Sequence, residues 1–215
     1  MRDEILSTIE QNRLIVIVRG VARDKLIDLA EAMYNGGVRL LEVTYSAKGE
    51  PSDEETAESI SALAKHFEGR MFIGAGTVLT EKQVKLTAKA GGKFIISPDS
   101  NEKVIKKTRR LRLVSIPGAL TPTDIASAQR AGADFIKLFP VGNMGADYVK
   151  AVRAPLSNVR MLAVGGIDLN NIAEYRSVGI QGFGIGSSIV RRDMIERGDF
   201  EGICELAKKY VEAVR

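Results

Sequence analysis

A single (β/α)8 (TIM) barrel of the α/β class is the fold this sequence predicts. Three observations carry it: apolar strand-like runs alternate strictly with helical stretches, eight such runs fit within 215 residues, and the linkers between them are short. An open doubly wound sheet is the structural alternative, but it would usually have fewer strands and would leave the last pair awkwardly at an edge. The length suits one domain, residues 1–215, with little left over for a second.

The chain opens on a helix over 3–11, ahead of the first strand. The strands are expected at 14–19, 39–44, 71–75, 93–97, 112–116, 134–138, 159–164 and 182–185. Their apolar runs are too short for helices and end at glycine, proline or a polar residue. Between them the period is near 3.6; over 53–67, for instance, Ala57, Ile60, Ser61, Ala64 and Phe67 share one face. Glycine closes the helices before strands two, four, six and eight, at Gly36–Gly37, Gly91–Gly92, Gly132 and Gly179. It tolerates the left-handed turn that ends a helix, and its recurrence hints at a repeated two-strand unit. The last helix carries a stripe of Phe200, Ile203, Ala207, Tyr210 and Val211, on which the one cysteine, Cys204, reads as core.

Composition narrows the function classes. Hydrophobic residues make up 45% and charged residues 27%, as in an ordinary soluble globule. An excess of four positive charges favours anionic small molecules mildly and is too weak to argue for nucleic acid, the more so with no tryptophan. No apolar stretch is long enough to span a bilayer, and the charged start MRDEIL is unlike a signal peptide, so a cytoplasmic protein with no membrane partner is expected. One cysteine permits no internal disulfide. One histidine, His66, off the apolar stripe of its helix, argues against a metal site and leaves no room for a Ser-His-Asp triad. No cofactor is expected.

In such a barrel chemistry is built where the strands end. The most informative residue there is Lys137, inside the apolar run Ile136 to Phe139. A strand covered on both faces tolerates an ammonium poorly. Lys137 therefore either reaches a wet opening or is kept partly neutral, able to act as a nucleophile. Glu42, after Leu40 and Leu41, is a second charge in an apolar strand, and Arg19 ends strand one. Together the three can form a site or a network that merely fixes the barrel. Burial and repulsion from Arg19 are expected to lower the Lys137 pKa against the opposing pull of Glu42. Thr77 and Ser188, taken singly, are weaker signals, since such residues are more often helix caps than ligand contacts. Gly165, Gly166, Gly186 and Ser187, at or near helix starts, offer backbone N–H groups to an anion such as phosphate.

The strings IVIVRG, LEVT, GAGTVL, ISPD, IPG, FIKLFP, AVGGI and GIGSS, in this order over nearly the whole chain, resemble the class I aldolases that cleave 2-keto-3-deoxy-6-phosphogluconate (KDPG). The resemblance implies a barrel, usually a homotrimer, that cleaves KDPG to pyruvate and glyceraldehyde 3-phosphate, and often also cleaves 4-hydroxy-2-oxoglutarate. By position it implies Lys137 as Schiff-base lysine and Glu42 as general acid/base. Arg19 and Thr77 fall near the substrate carboxylate, and Gly165, Gly166, Gly186 and Ser187 or Ser188 in a phosphate cradle. Two positions depart from the gluconate type: Ser46 where those enzymes have arginine, and Val164 where they have threonine. The 6-phosphogalactonate branch shares the valine and is the alternative substrate class. An isomerase or epimerase using Glu42 as base, and a non-catalytic sugar-phosphate binder, are the competing functions.

Overall fold

The computed structural model describes residues 1–215. Helix α1 (Arg2–Asn12) precedes β1 (Leu14–Val18), and a 3-10 turn leads into α2 (Leu26–Asn35). Strand and helix then alternate: β2 (Leu40–Thr44), α3 (Asp53–His66), β3 (Phe72–Gly76), α4 (Glu81–Lys89), β4 (Phe94–Ile96) and α5 (Glu102–Arg110). The second half runs β5 (Val114–Ile116), β6 (Gly118–Ala119), α6 (Pro122–Ala131), β7 (Ile136–Leu138), α7 (Gly145–Arg153) and β8 (Met161–Val164). It ends with α8 (Ile172–Ser177), β9 (Gly182–Ile185), α9 (Arg192–Glu196) and α10 (Phe200–Ala213).

All pairings are parallel, in the order β5-β4-β3-β2-β1-β9-β8-β7-β6. Only Pro117 separates β5 from β6, so the two ends of that order are one strand and the sheet closes on itself. Eight expected strands become nine segments because proline has no N–H for the ladder. The carbonyl of Pro117 still accepts from the Lys137 N–H at 2.8 Å. The open doubly wound alternative is thereby excluded.

Side chains alternate between the two faces of this closed sheet. Those facing out, such as Val16, Leu41, Ile73 and Ile136, pack with the helices in the large outer core. Those facing in, such as Ile15, Leu40, Phe94 and Phe135, form a second cluster that α1 completes with Ile5 and Ile9. The extra helix thus plugs the end of the barrel where the strands begin. Asp134 ties it down: this buried carboxylate accepts from Arg2 of α1, from Arg109 of α5 at 2.9 Å and from the Ser115 N–H at 2.9 Å.

Several local expectations change. Arg112 has a left-handed backbone (φ 59°), which delays the fifth strand to Val114. On α3 the buried stripe is Thr56, Ile60 and Leu63, continued by Phe67, with Ser61 exposed; the helix is rotated toward its longer apolar side chains. Cys204 is half-buried at the flank of α10. The left-handed helix-end glycines are Gly37, Gly91, Gly132 and Gly179, one before each of β2, β4, β7 and β9. No helix is long and apolar enough to cross a membrane.

Since α1 plugs the barrel at the end opposite the strand termini, Ile9→Ala is expected to cost about 2–4 kcal/mol of stability with activity retained. A urea titration checks this through a lower midpoint at unchanged slope. A loss below about 1 kcal/mol would show that α1 does not carry the lower core.

Candidate active site

Register places the site. Ile17 of β1 pairs with Glu42 of β2, which pairs with Gly74 of β3, and Lys137 of β7 lies between Gly118 and Leu162. Glu42 shares the inward parity of Leu40, and Lys137 that of Phe135, so both project into the barrel above the plugged end. Glu42 is 1% exposed and Lys137 6%.

The slot for Glu42 is made by a glycine. A Cβ on Gly76 would overlap the Glu42 carboxylate, and one on Gly74 would overlap the Phe94 ring. The GAG of β3 is therefore a steric requirement of its neighbours, which reading the sequence did not reveal. It shows only once β2, β3 and β4 lie in register. Both Glu42 oxygens are buried with no hydrogen-bond partner. Native folds rarely leave such atoms unpaired, and a catalytic role is one recognised reason for it. Lys137 Nζ lies 4.6 Å from the centroid of the Phe139 ring and makes no ion pair with Glu42.

Burial dominates the titration of both groups. It pushes the Glu42 carboxyl above its ordinary value, against the attraction of Lys137 and Arg19 for its anion. It pushes the Lys137 ammonium below its ordinary value, with Glu42 opposing and Arg19 adding a smaller push downward. The Phe139 ring face also favours the ammonium, by about 0.5–2 kcal/mol at most for such a contact. Burial thus opposes the charge on each group, disfavouring the Lys137 ammonium and the Glu42 carboxylate.

Arg19, expected in the same charged set, is exposed and arches over the mouth to donate to Thr77 Oγ1 at 2.8 Å. Thr77 holds a left-handed backbone (φ 55°), an uncommon state for a β-branched residue and one that fixes where its hydroxyl points. Two clefts flank Arg19. One, of about 800 Å3, lies against Gly20, Gly186, Ser187 and Arg192; the other, of about 660 Å3, lies against the loop that carries Ser46 and Lys48.

The glycine turns differ from expectation in one respect. Gly165 and Gly166 (φ 85° and 78°) and the Gly186–Ser188 turn sit in loops, not at helix starts, because α8 and α9 begin several residues later. Their N–H groups nonetheless donate to no protein acceptor, which leaves two adjacent turns free to hold an anion. Ser187 is exposed to the larger cleft. The Ser188 hydroxyl is turned away, toward the Ile167 carbonyl and Tyr210, so only its amide faces the turn. His66 lies on the surface against Glu31 at 2.6 Å, and no three His, Cys, Asp or Glu side chains gather in a way that could hold a metal.

The family model described as KDPG and KHG aldolase matches residues 5–206. A probable 2-dehydro-3-deoxy-6-phosphogalactonate aldolase of Rhizobium meliloti is 34% identical, over 84% of this chain and 83% of its own. A KHG/KDPG aldolase of Escherichia coli is 32% identical, over 94% of this chain and 91% of its own. Among solved structures, the KDPG aldolase of Legionella pneumophila with pyruvate captured as a covalent carbinolamine superposes with a TM-score of 0.83 at 25% identity, covering 94% of this chain and 96% of that one.

The lowered Lys137 pKa has a sign that can be tested. Between its folded value and the ordinary 10.5, the unfolded chain holds more protons at this site than the folded one, so stability rises with pH there. Lys137→Met removes the burial penalty. The variant is expected to be the more stable form near neutrality, with its advantage shrinking as pH climbs toward 10.5 in urea titrations. An advantage that grows with pH would mean that Lys137 is stabilised as a cation.

Proposed function

This chain belongs to the KDPG and KHG aldolase family, and from that premise we propose that it is a Schiff-base lyase. Its proposed substrate is 2-keto-3-deoxy-6-phosphogluconate, cleaved to pyruvate and glyceraldehyde 3-phosphate, with 4-hydroxy-2-oxoglutarate as a second, cleaved to pyruvate and glyoxylate. The observation that carries the reading is a lysine amine and a carboxyl both buried inside the barrel without pairing, the burial disfavouring the ammonium. The carbinolamine of the Legionella pneumophila relative with pyruvate supports it.

The neutral amine of Lys137 adds to the keto carbon; the Glu42 carboxyl gives its proton to the departing hydroxyl, and loss of water leaves a protonated imine facing the Glu42 carboxylate. This iminium is the electron sink. Glu42, as carboxylate, takes the proton of the hydroxyl on the carbon beyond the bond being cut. That bond breaks, the aldehyde leaves, and its electron pair moves into the imine as an enamine. Glu42 then returns the proton to the enamine methylene, and water hydrolyses the iminium to pyruvate and the neutral amine, the surplus proton going back to Glu42. The upward shift of Glu42 by burial suits both halves of this exchange, since it makes the carboxylate a stronger base than an exposed one. No step needs a metal.

Arg19, held by Thr77, would set the substrate carboxylate so that the ketone lies over Lys137. Gly165, Gly166, Gly186 and Ser187 would hold the phosphate with their unspent N–H groups, aided by the Ser188 amide. Binding the remote phosphate favours the phosphorylated substrate over 4-hydroxy-2-oxoglutarate. A homotrimer working in the cytoplasm completes the proposal, and sedimentation as a monomer would remove its assembly.

Val164, the residue shared with the 6-phosphogalactonate branch, favours that epimer as a second reading, while Ser46 only departs from the gluconate type. Val164 is buried and inward-facing; a Cβ on Gly184 would stand 2.8 Å from it, so it contributes an apolar surface to the mouth near the glycine turns. Ser46 lies on the loop of the smaller cleft, where it accepts the Lys48 N–H at 3.2 Å. Pyruvate release from the two epimeric phosphorylated keto acids decides between the readings: at least about a tenfold difference in kcat/KM, or ~1.4 kcal/mol, is expected.

Pyruvate with borohydride is expected to add covalent mass at Lys137, found by peptide mass spectrometry, and Lys137→Met to abolish both adduct and cleavage. Glu42→Gln should slow cleavage by about 10²–10⁴ while still forming the adduct. An isomerase or epimerase that uses Lys137 only as a charge would give no adduct, and that result would overturn the lyase.

A further inference from the structure

Resting on the proposed cleavage of a phosphorylated keto acid, we infer that Arg192 is a phosphate-positioning residue that selects for the phosphorylated substrate. Strands β1 and β9 are paired neighbours, so the segments that follow them face each other across the larger cleft. One wall carries Arg19 and Gly20, the other Gly186 and Ser187, and Arg192 lines the same space. Arg192 is exposed, and its guanidinium lies along this cleft. Nη2 lies 3.9 Å from where a Cβ on Gly20 would stand, so the side chain folds back over the bare Gly20 turn.

The neighbouring arginines are spent. Arg191 is bound to Asp193, and Arg197 to Asp193 and Asp199. Arg192 has no carboxylate partner, although Glu196 stands one turn further along α9. An arginine surrounded by acidic side chains yet left with a free fork fits an anion delivered from outside.

The ligand chemistry points the same way. A phosphate monoester brings close to two negative charges, and backbone N–H groups supply dipoles but no formal charge to meet them. Arg19 is committed across the mouth to Thr77. Lys25 also lines the cleft, but an ammonium on a flexible stem meets phosphate as a point charge without a fork. Arg192 remains, with a planar fork that can take two phosphate oxygens at once.

The alternative is that Arg192 only braces the Gly20 turn, and a comparison of substrates separates the two. Arg192→Ala is expected to lower kcat/KM for the phosphorylated keto acid by about tenfold or more, mainly through KM. For 4-hydroxy-2-oxoglutarate the loss should stay under about threefold, since that substrate has no phosphate to hold. Inhibition of the unphosphorylated reaction by inorganic phosphate should weaken by the factor lost in KM, and Arg192→Lys should recover part of both effects. Equal losses on the two substrates, or unchanged inhibition by phosphate, would overturn the role. Borohydride trapping keeps this result apart from the function it rests on. An enzyme that traps pyruvate but shows equal losses removes Arg192 alone, whereas no adduct in the parent protein removes the lyase reading itself.

Discussion

An amine and a carboxyl of opposite charge type share the inside of this barrel without pairing, and that separation is the constraint on which the rest of the molecule depends. Glu42 and Lys137 are both almost wholly buried, and the Glu42 oxygens touch no donor. Had they met in an ion pair, the amine would be held as a cation and lost as a nucleophile. Register and steric fit keep them apart. Glu42 lies flush over Gly76, while Lys137 rises from β7 against the Phe139 ring. Burial without pairing carries a free-energy cost, which the two apolar clusters around the sheet offset.

The barrel divides the labour between its ends. Where the strands begin, Ile5 and Ile9 fill the interior and Asp134 ties α1 to the sheet, giving a rigid floor. Toward the strand ends, glycines replace bulky side chains. Gly76 makes room for the Glu42 carboxylate, Gly184 lies against Val164, and the turns beyond leave their N–H groups unspent. Filling one end and emptying the other turns a packed cylinder into a shallow reaction vessel. The proposed reacting groups stand on strands, and the loops after β1, β2, β8 and β9 carry the features proposed to read the substrate.

Much of this was legible in the chain. Alternating periodicities mark the elements, because a strand and a helix bury apolar residues at different spacings. Lys137 and Glu42 stand out for the same reason: a charge inside an apolar run conflicts with the burial its neighbours demand. What escaped are features without a local signature. Thr77 is an ordinary residue until its backbone is seen to be left-handed, and GAG is an ordinary run until its neighbours' side chains are seen to occupy the missing Cβ positions. Pro117 splits a strand at the one place where the circle closes. Ser187 and Ser188 are indistinguishable in sequence, yet one faces the cleft while the other bonds inward.

The sequence by itself determined the element order, the barrel class, the buried amine and its acidic counterpart, because hydrophobic periodicity and its violations are written residue by residue. Tertiary structure alone decided that the two groups stay unpaired, that Arg19 reaches Thr77 from a strand far away in the chain, and that Arg192 folds back over Gly20. Those outcomes depend on register and on which Cβ is absent opposite which side chain. Both arise only when strands distant in sequence are brought side by side.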